Sequence, residues 1–202
     1  MVLVIDNYDS FTYDLVQYLG VAGVVTKVVR NDEIDVKGVV AEEPSGILLS
    51  PGPCTPSESG VCVPILEHAL DGDLQGIPLF GVCLGHQAIG MVSGGVVQRA
   101  GRIVHGKSSK VSHDGKGILT DMPNPFRAVR YHSLIVTEES IPKGFVATSW
   151  AEDDNELMGM RHESLPIEGV QFHPESVLTE SGMTMIENFV AQVRDYQASR
   201  AR

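Results

Sequence analysis

Apolar positions follow two rhythms along this chain, and the change between them divides it near residue 95. Before that point, short continuous apolar runs alternate with stretches of helical spacing. Val2–Ile5, Val24–Val29, Gly46–Ser50 and Pro78–Val82 are short, aliphatic or β-branched, and bounded by polar or turn residues. Such runs predict strands, and Val2–Ile5, Gly46–Ser50 and Pro78–Val82 read as buried on both faces. Between them, Phe11, Leu15, Val16 and Leu19 share one helical face, as do Val61, Ile65, Leu66 and Ala69, which predicts amphipathic helices. Asp9 or Ser10 is the expected cap of the first helix, and Asp32 the cap of a short one through Val36, Val39 and Val40. This strand–helix alternation builds a parallel sheet covered by helices.

Beyond residue 95 the rhythm is that of strands joined by Gly- and Pro-rich turns. Val96–Arg99, Lys110–His113, Phe126–Tyr131, Phe145–Ser149, Leu157–His162 and Ile167–Val170 read as strands, the last two flanking the turn Glu163–Pro166. Antiparallel pairing is expected here. Met185, Ile186, Phe189, Val190 and Val193 form a final amphipathic helix, with a polar, fraying tail from about residue 195. The fold class is therefore α/β: an open, mostly parallel sheet flanked by helices, with antiparallel strands added in the second half. With 202 residues, no repeat and no linker-like stretch, a single domain over 1–202 is expected.

Composition narrows the function. Fifteen Lys and Arg face 26 Asp and Glu, a formal charge of −11, which repels a phosphate backbone and argues against nucleic acid. No apolar run approaches the ~18 residues of a membrane span, so no membrane partner is expected. The start, Met1-Val-Leu-Val-Ile-Asp6, lacks the basic segment of a secretory signal. The cysteines Cys54, Cys62 and Cys83 are odd in number and irregularly spaced. They suit a reducing compartment, and the expected location is cytoplasmic.

One of them has a distinctive setting. Gly81-Val-Cys83-Leu-Gly85 ends a predicted strand and opens a predicted helix, His86 to Met91, the arrangement of a nucleophile elbow with cysteine in place of serine. Small residues on either side permit a sharp turn, the helix N-terminus favours a thiolate, and the Leu84 N–H points where an oxyanion would form. A buried, inert cysteine is the alternative, since an isolated Gly-x-Cys-x-Gly is a weak signal. Gln171-Phe-His173-Pro-Glu175 shifts the balance. In an extended segment His173 and Glu175 project to one side, which suits a base and the carboxylate that holds its tautomer. A third piece, Ser50-Pro-Gly52-Pro-Cys54-Thr-Pro56, follows the third predicted strand, where loops line the crevice of parallel sheets. It is either a stiff connector or the source of a second oxyanion donor at Gly52.

Together with Asp6-Asn-Tyr-Asp-Ser-Phe-Thr12, His105-Gly-Lys107, His113-Asp-Gly-Lys-Gly117 and Arg130-Tyr-His-Ser-Leu134, these motifs resemble the class I (triad) glutamine amidotransferases. More narrowly they resemble anthranilate synthase component II and the aminodeoxychorismate synthase glutamine subunit, over residues 1 to about 190. The resemblance implies Cys83 as nucleophile, His173 as base, Glu175 as its orienter, and oxyanion-hole N–H groups from Gly52 and Leu84. It implies glutamine binding by Gly52, Pro53, Cys54, Gln87, Ser133 and Leu134. It further implies L-glutamine as substrate, no cofactor, and, for a partner, the chorismate-using component of a synthase: anthranilate synthase component I, or aminodeoxychorismate synthase component I. The family loop commonly reads Pro-Gly-Pro-Gly, whereas residue 54 here is cysteine; a side chain there is comfortable only at negative φ.

No metal is expected, because the histidines lack zinc-site spacing, and Asp6, Asp9 and Asp14 read as caps and a solvated loop. No Gly-x-x-x-x-Gly-Lys-Ser/Thr loop offers an ATP site. Arg99, Arg102, Lys107, Lys110 and Lys116 face only Asp114 between residues 99 and 116, forming either a solvated hairpin or a docking patch for an acidic partner face. Against the chorismate-linked reading stand a stand-alone cysteine hydrolase, a silent regulatory subunit and, within the enzyme class, another glutamine amidotransferase feeding purine or pyrimidine synthesis.

Overall fold

In the computed structural model, which describes residues 1–201, the apolar run at the start becomes β1 (Val2–Asp6), buried along its length. Its alternate residues serve two different cores. Val2 and Val4 pack with Leu48, Phe80 and Val82 against α1 (Thr12–Val21) and α5 (Gly182–Arg200). Leu3 and Ile5 pack with Ile47, Leu49 and Leu79 against α2 (Val36–Ala41), α3 (Cys62–Leu70) and α4 (Leu84–Val92). A strand with both faces covered has no use for a polar face, which is why these runs are continuous rather than alternating.

Strands β2 (Thr26–Arg30), β3 (Gly46–Leu49), β4 (Leu79–Val82), β5 (Val97–His113), β6 (Phe126–Val136), β7 (Phe145–Ala151), β8 (Leu157–His162) and β9 (Ile167–Val170) complete one sheet. Its order is β2-β1-β3-β4-β9-β8-β7-β5-β6. From β2 to β9 neighbours run parallel; from β9 to β6 they run antiparallel. Strand β9 is the seam: parallel to β4 on one side, antiparallel to β8 on the other. The sequence-distant chain after β9 therefore emerges beside the end of β4. No helix among the described residues is long and apolar enough to cross a membrane.

Several local expectations are corrected. The short helix α2 is capped by Asp35, whose carboxylate accepts from the Gly38 N–H at 2.8 Å; Asp32 instead accepts from the Tyr8 hydroxyl at 2.8 Å. Phe11 holds the cap position of α1 without a side-chain bond, and Asp9 braces the turn by accepting from the Phe11 N–H at 2.8 Å. The strands expected at Val96–Arg99 and Lys110–His113 are the ends of one long strand, β5. Register shifts between Arg99 and Val104 and between His105 and Lys107 let it bridge the glycines that break its apolar pattern. The polar segment after residue 195 continues α5 to Arg200, whose guanidinium donates to Gln75 at 2.6 Å.

Candidate active site

The β4–β9 pairing brings two motifs to one end of the sheet. Val82 stands opposite Val170, and the Cys83 N–H donates to the Val170 carbonyl at 2.8 Å. There β4 turns at once into α4, with Cys83 at φ 52° and ψ −100°. A positive φ costs an ordinary residue roughly 1–2 kcal/mol, so the surroundings must hold the turn. They do so by close approach. A Cβ on Gly81 would lie 2.6 Å from the Gly85 carbonyl carbon, and one on Gly85 would lie 2.4 Å from the Leu49 carbonyl oxygen. The elbow thus depends on both glycines, and Cys83 sits in it at the first turn of a helix, where positive partial charge accumulates.

His173 reaches the same place from β9. Its N–H donates to the Val129 carbonyl at 3.0 Å, and its own carbonyl accepts from the Thr179 hydroxyl at 2.6 Å. The chain then turns at Pro174, with the Ser176 N–H donating back to the His173 carbonyl at 3.3 Å. The contact between His173 and Glu175 is made by this turn rather than by the extended segment expected from sequence. Nδ1 of His173 lies 2.5 Å from Oε1 of Glu175, and both residues are buried. Nε2 is buried without a hydrogen-bond partner. The rings of Tyr131 and Phe11 meet the imidazole edge-on, at centroid distances of 5.1 and 5.9 Å. Burial by itself pushes the ring's pKa down, but the Cys83 sulfur and the Glu175 carboxylate overcome it and raise it to about 10. The three residues singled out in two separate motifs are therefore buried at one end of the sheet.

The Ser50–Cys54 loop closes against this end of the sheet. Asn7, at the end of β1, holds it: its N–H donates to Ser50 Oγ at 2.8 Å and its Nδ2 to the Ser50 carbonyl at 2.9 Å. Gly52 fits between Asn7 and the first residue of α4. A Cβ there would stand 2.6 Å from Leu84 Cδ2 and 2.6 Å from Asn7 Cβ. Gly52 and Leu84 are thus neighbours across the crevice. Pro53 and Cys54 are exposed. Cys54 adopts φ 69°, so the expectation of a negative φ is overturned: the loop keeps the left-handed turn suited to glycine and carries a side chain in it. Cys62 lies beneath the loop, donating to Asn7 Oδ1 at 3.3 Å, and burial pushes its thiol up to about 12, leaving it inert.

Gln87, one turn into α4, is buried, and its Nε2 donates to the Leu134 carbonyl at 3.0 Å and to Gln171 Oε1 at 3.1 Å. Leu134 is therefore joined to the elbow, while Ser133 lies exposed beside it on β6. Sequence reasoning missed Gln171 as a site residue. It is fully buried, and its Nε2 lies 3.5 Å from Cys83 Sγ. Its spacing of two from His173 was the available signal. Behind this strand segment lies a buried polar cluster. Arg130, fully buried, donates to Asp154 at 2.8 Å, to Glu156, and to His132 Nε2 at 3.0 Å. Burial, then the Arg130 charge, lower the His132 pKa to about 3, so His132 is a neutral acceptor that braces β6. Among the described residues no group of three or more His, Cys, Asp or Glu side chains is arranged to hold a metal ion.

The elbow cysteine, the His–Glu pair from the adjacent parallel strand and the glycine loop facing the helix start thus lie at one end of the sheet; comparison with known proteins gives the family. Anthranilate synthase component 2 of Pseudomonas aeruginosa is 50% identical over 196 residues, covering 95% of this chain and 96% of that one. The aminodeoxychorismate/anthranilate synthase component 2 of Bacillus subtilis is 50% identical over 194 residues, covering 96% and 97%. In three dimensions, a candidate GMP synthase subunit from Thermoplasma acidophilum superposes with a TM-score of 0.85 at 25% identity, covering 100% of this chain and 97% of that one. With the family model described as glutamine amidotransferase class-I matching residues 3–193, the chain belongs to the class-I glutamine amidotransferases.

Proposed function

We propose that this chain hydrolyses the side-chain amide of L-glutamine through Cys83, His173 and Glu175 and passes the ammonia to a chorismate-using synthase subunit. The observation that carries the reading is the His173 ring, braced by Glu175 at Nδ1 and raised by the Cys83 sulfur beside it. The Cys83 thiolate attacks the δ-carbonyl, and the tetrahedral oxyanion is held by the N–H groups of Gly52 and Leu84. Protonated His173 gives its proton to the departing ammonia, leaving a γ-glutamyl thioester at Cys83. His173 then takes a proton from water as it attacks, and glutamate leaves. Glu175 keeps the ring in one tautomer throughout. Gln87, Ser133, Leu134 and the Gly52–Cys54 loop hold the glutamine. The half-reaction requires no cofactor.

The relatives' names favour anthranilate synthase component I as the partner, and the shared name of the Bacillus subtilis relative supports a second reading in which aminodeoxychorismate synthase component I is served as well. The basic stretch along β5 and the turn that follows it suits docking, because it borders the site. Arg99 pairs with Leu134 and His105 with Tyr131 in the β5–β6 ladder, and Arg99, Lys107, Lys110 and Lys116 are exposed. An acidic partner face laid on this ribbon would reach Tyr131, and through it His173. Mixing the purified chain with each component I, with and without chorismate, and measuring glutamate release tests the reading. Glutamine hydrolysis should be slow alone and rise with the cognate partner. A full rate in isolation, unchanged by either partner, would overturn the role of a dependent subunit in favour of a stand-alone hydrolase.

A further inference from the structure

The geometry points to Asn7 as a positioning residue for the oxyanion hole, acting through the Gly52 loop; the inference rests on the glutaminase reading above and deepens it. Asn7 is 2% exposed and sits at the carboxyl end of β1, a strand that contributes no atom to the proposed triad. Every polar group of its side chain is used. Nδ2 donates to the Ser50 carbonyl at 2.9 Å. Oδ1 accepts from Asn31 Nδ2 at 2.9 Å, after β2, and from Cys62 Sγ at 3.3 Å, at the start of α3. Its backbone N–H donates to Ser50 Oγ at 2.8 Å, and that hydroxyl donates in turn to the Pro51 carbonyl at 2.7 Å. One side chain therefore ties the ends of β1, β2 and β3 to the start of α3, and the object it fixes is the peptide run Ser50–Pro51–Gly52.

Contact as well as hydrogen bonding sets the loop's height. The place a Cβ would take on Gly52 is 2.6 Å from Asn7 Cβ, 2.8 Å from the Asn7 carbonyl oxygen and 2.6 Å from Leu84 Cδ2. Gly52 is thus clamped between Asn7 and the residue that carries the other proposed oxyanion donor. Two donors act together only while their separation is held, and a preorganised pair loses its advantage if one of them must be moved at the moment of reaction. Asparagine is the residue type this place requires. It must donate to a carbonyl on one side and accept twice on the other; aspartate would set a carboxylate oxygen against the Ser50 carbonyl.

Because the role is exerted through the Gly52 loop and not on the thiol, it separates two reactions of the same thiol. Hydrolysis of glutamine passes through a tetrahedral oxyanion; alkylation of Cys83 by iodoacetamide is a direct displacement and forms none. Asn7→Asp, which keeps the volume, and Asn7→Ala are compared with wild type in complex with the partner. Glutamate release gives kcat and KM, and peptide mass mapping gives the rate of Cys83 alkylation. The expected result is a kcat lower by about 10- to 10²-fold, somewhat less than for deletion of an oxyanion donor itself. Cys83 alkylation should stay near wild type, while KM rises only as far as the displaced Gly52–Cys54 loop also loosens its hold on glutamine. Wild-type kcat in folded Asn7→Asp would overturn the inference. So would a parallel fall of kcat and alkylation, which would place Asn7 in support of the thiol or of the fold at large. Cys83→Ser runs alongside: if it still hydrolyses glutamine, the failure lies in the nucleophile assignment and takes the inference with it.

Discussion

Gly52→Ala adds one methyl group at a closely packed point of the site, and its consequence follows from three distances. The new Cβ would lie 2.6 Å from Asn7 Cβ, 2.6 Å from Leu84 Cδ2 and 2.8 Å from the Asn7 carbonyl oxygen. Carbon atoms in contact sit about 3.5–4.0 Å apart, so the overlap is about 1 Å. Leu84 Cδ2 is the end of a side chain and yields by rotation. Asn7 is fastened by hydrogen bonds to Ser50, Asn31 and Cys62 and does not yield. The loop must therefore rise by about 1 Å, carrying the Gly52 N–H with it. Overpacking of this kind costs roughly 1–3 kcal/mol, a fall in Tm of about 2–12 °C for a chain of this size. The catalytic loss is larger: displacement by 1 Å costs about 10²-fold in rate, and complete loss of an oxyanion donor about 10²- to 10³-fold. Thermal melting and kcat for glutamate release with the partner present measure the two effects separately. A folded Gly52→Ala protein that hydrolyses glutamine at the wild-type rate would refute the placement of the loop in the oxyanion hole.

Two other perturbations give distinct signatures. Glu175→Gln removes one of the two groups that raise His173 to about 10. The alkaline fall in kcat, where the ring can no longer protonate the departing ammonia, should move toward neutral pH by about 1–2 units, with a rate loss of roughly 10²-fold; an unmoved alkaline limb would show that Glu175 does not act on His173. The sign extends to stability. The folded value lies above the ordinary ~6.5, so the stabilisation is present in full below about pH 6.5 and is lost as pH rises through about 10. Cys54→Gly relieves a left-handed residue at φ 69° and should stabilise the chain by about 1 kcal/mol, or about 2–4 °C in Tm; a lower Tm would mean that the cysteine side chain holds the loop.

What the sequence disclosed is what local pattern controls. Strands β1, β3 and β4 were legible because both faces are buried, and the two motifs around Cys83 and His173 because each completes its geometry within five residues. Legibility failed where partners are distant in the chain. Asn7 reads as a loop residue until Asn31, Ser50 and Cys62 close around it. Arg130 carries a family motif in the sequence, but its burial is visible only when Asp154 and Glu156 meet it in the interior. Gln171 belongs to the site only because β9 lies parallel to β4, a pairing that spans the antiparallel half of the chain. The course of β5 was hidden by glycines and register shifts, and the φ of Cys54 by its departure from the family's glycine.

The central claim is that Cys83, and neither of the other cysteines, carries the glutamyl group. It is tested most directly by treating the chain, bound to its partner, with an electrophilic ketone analogue of glutamine and mapping the modified peptide by mass spectrometry. Addition should occur at Cys83, be blocked by excess glutamine and vanish in His173→Ala. Cys62 should stay unmodified because burial pushes its thiol up to about 12, and Cys54, though exposed, should stay unmodified because the proposed base, His173, serves Cys83. Modification mainly at Cys54, or labelling of Cys83 that glutamine does not block, would contradict the account.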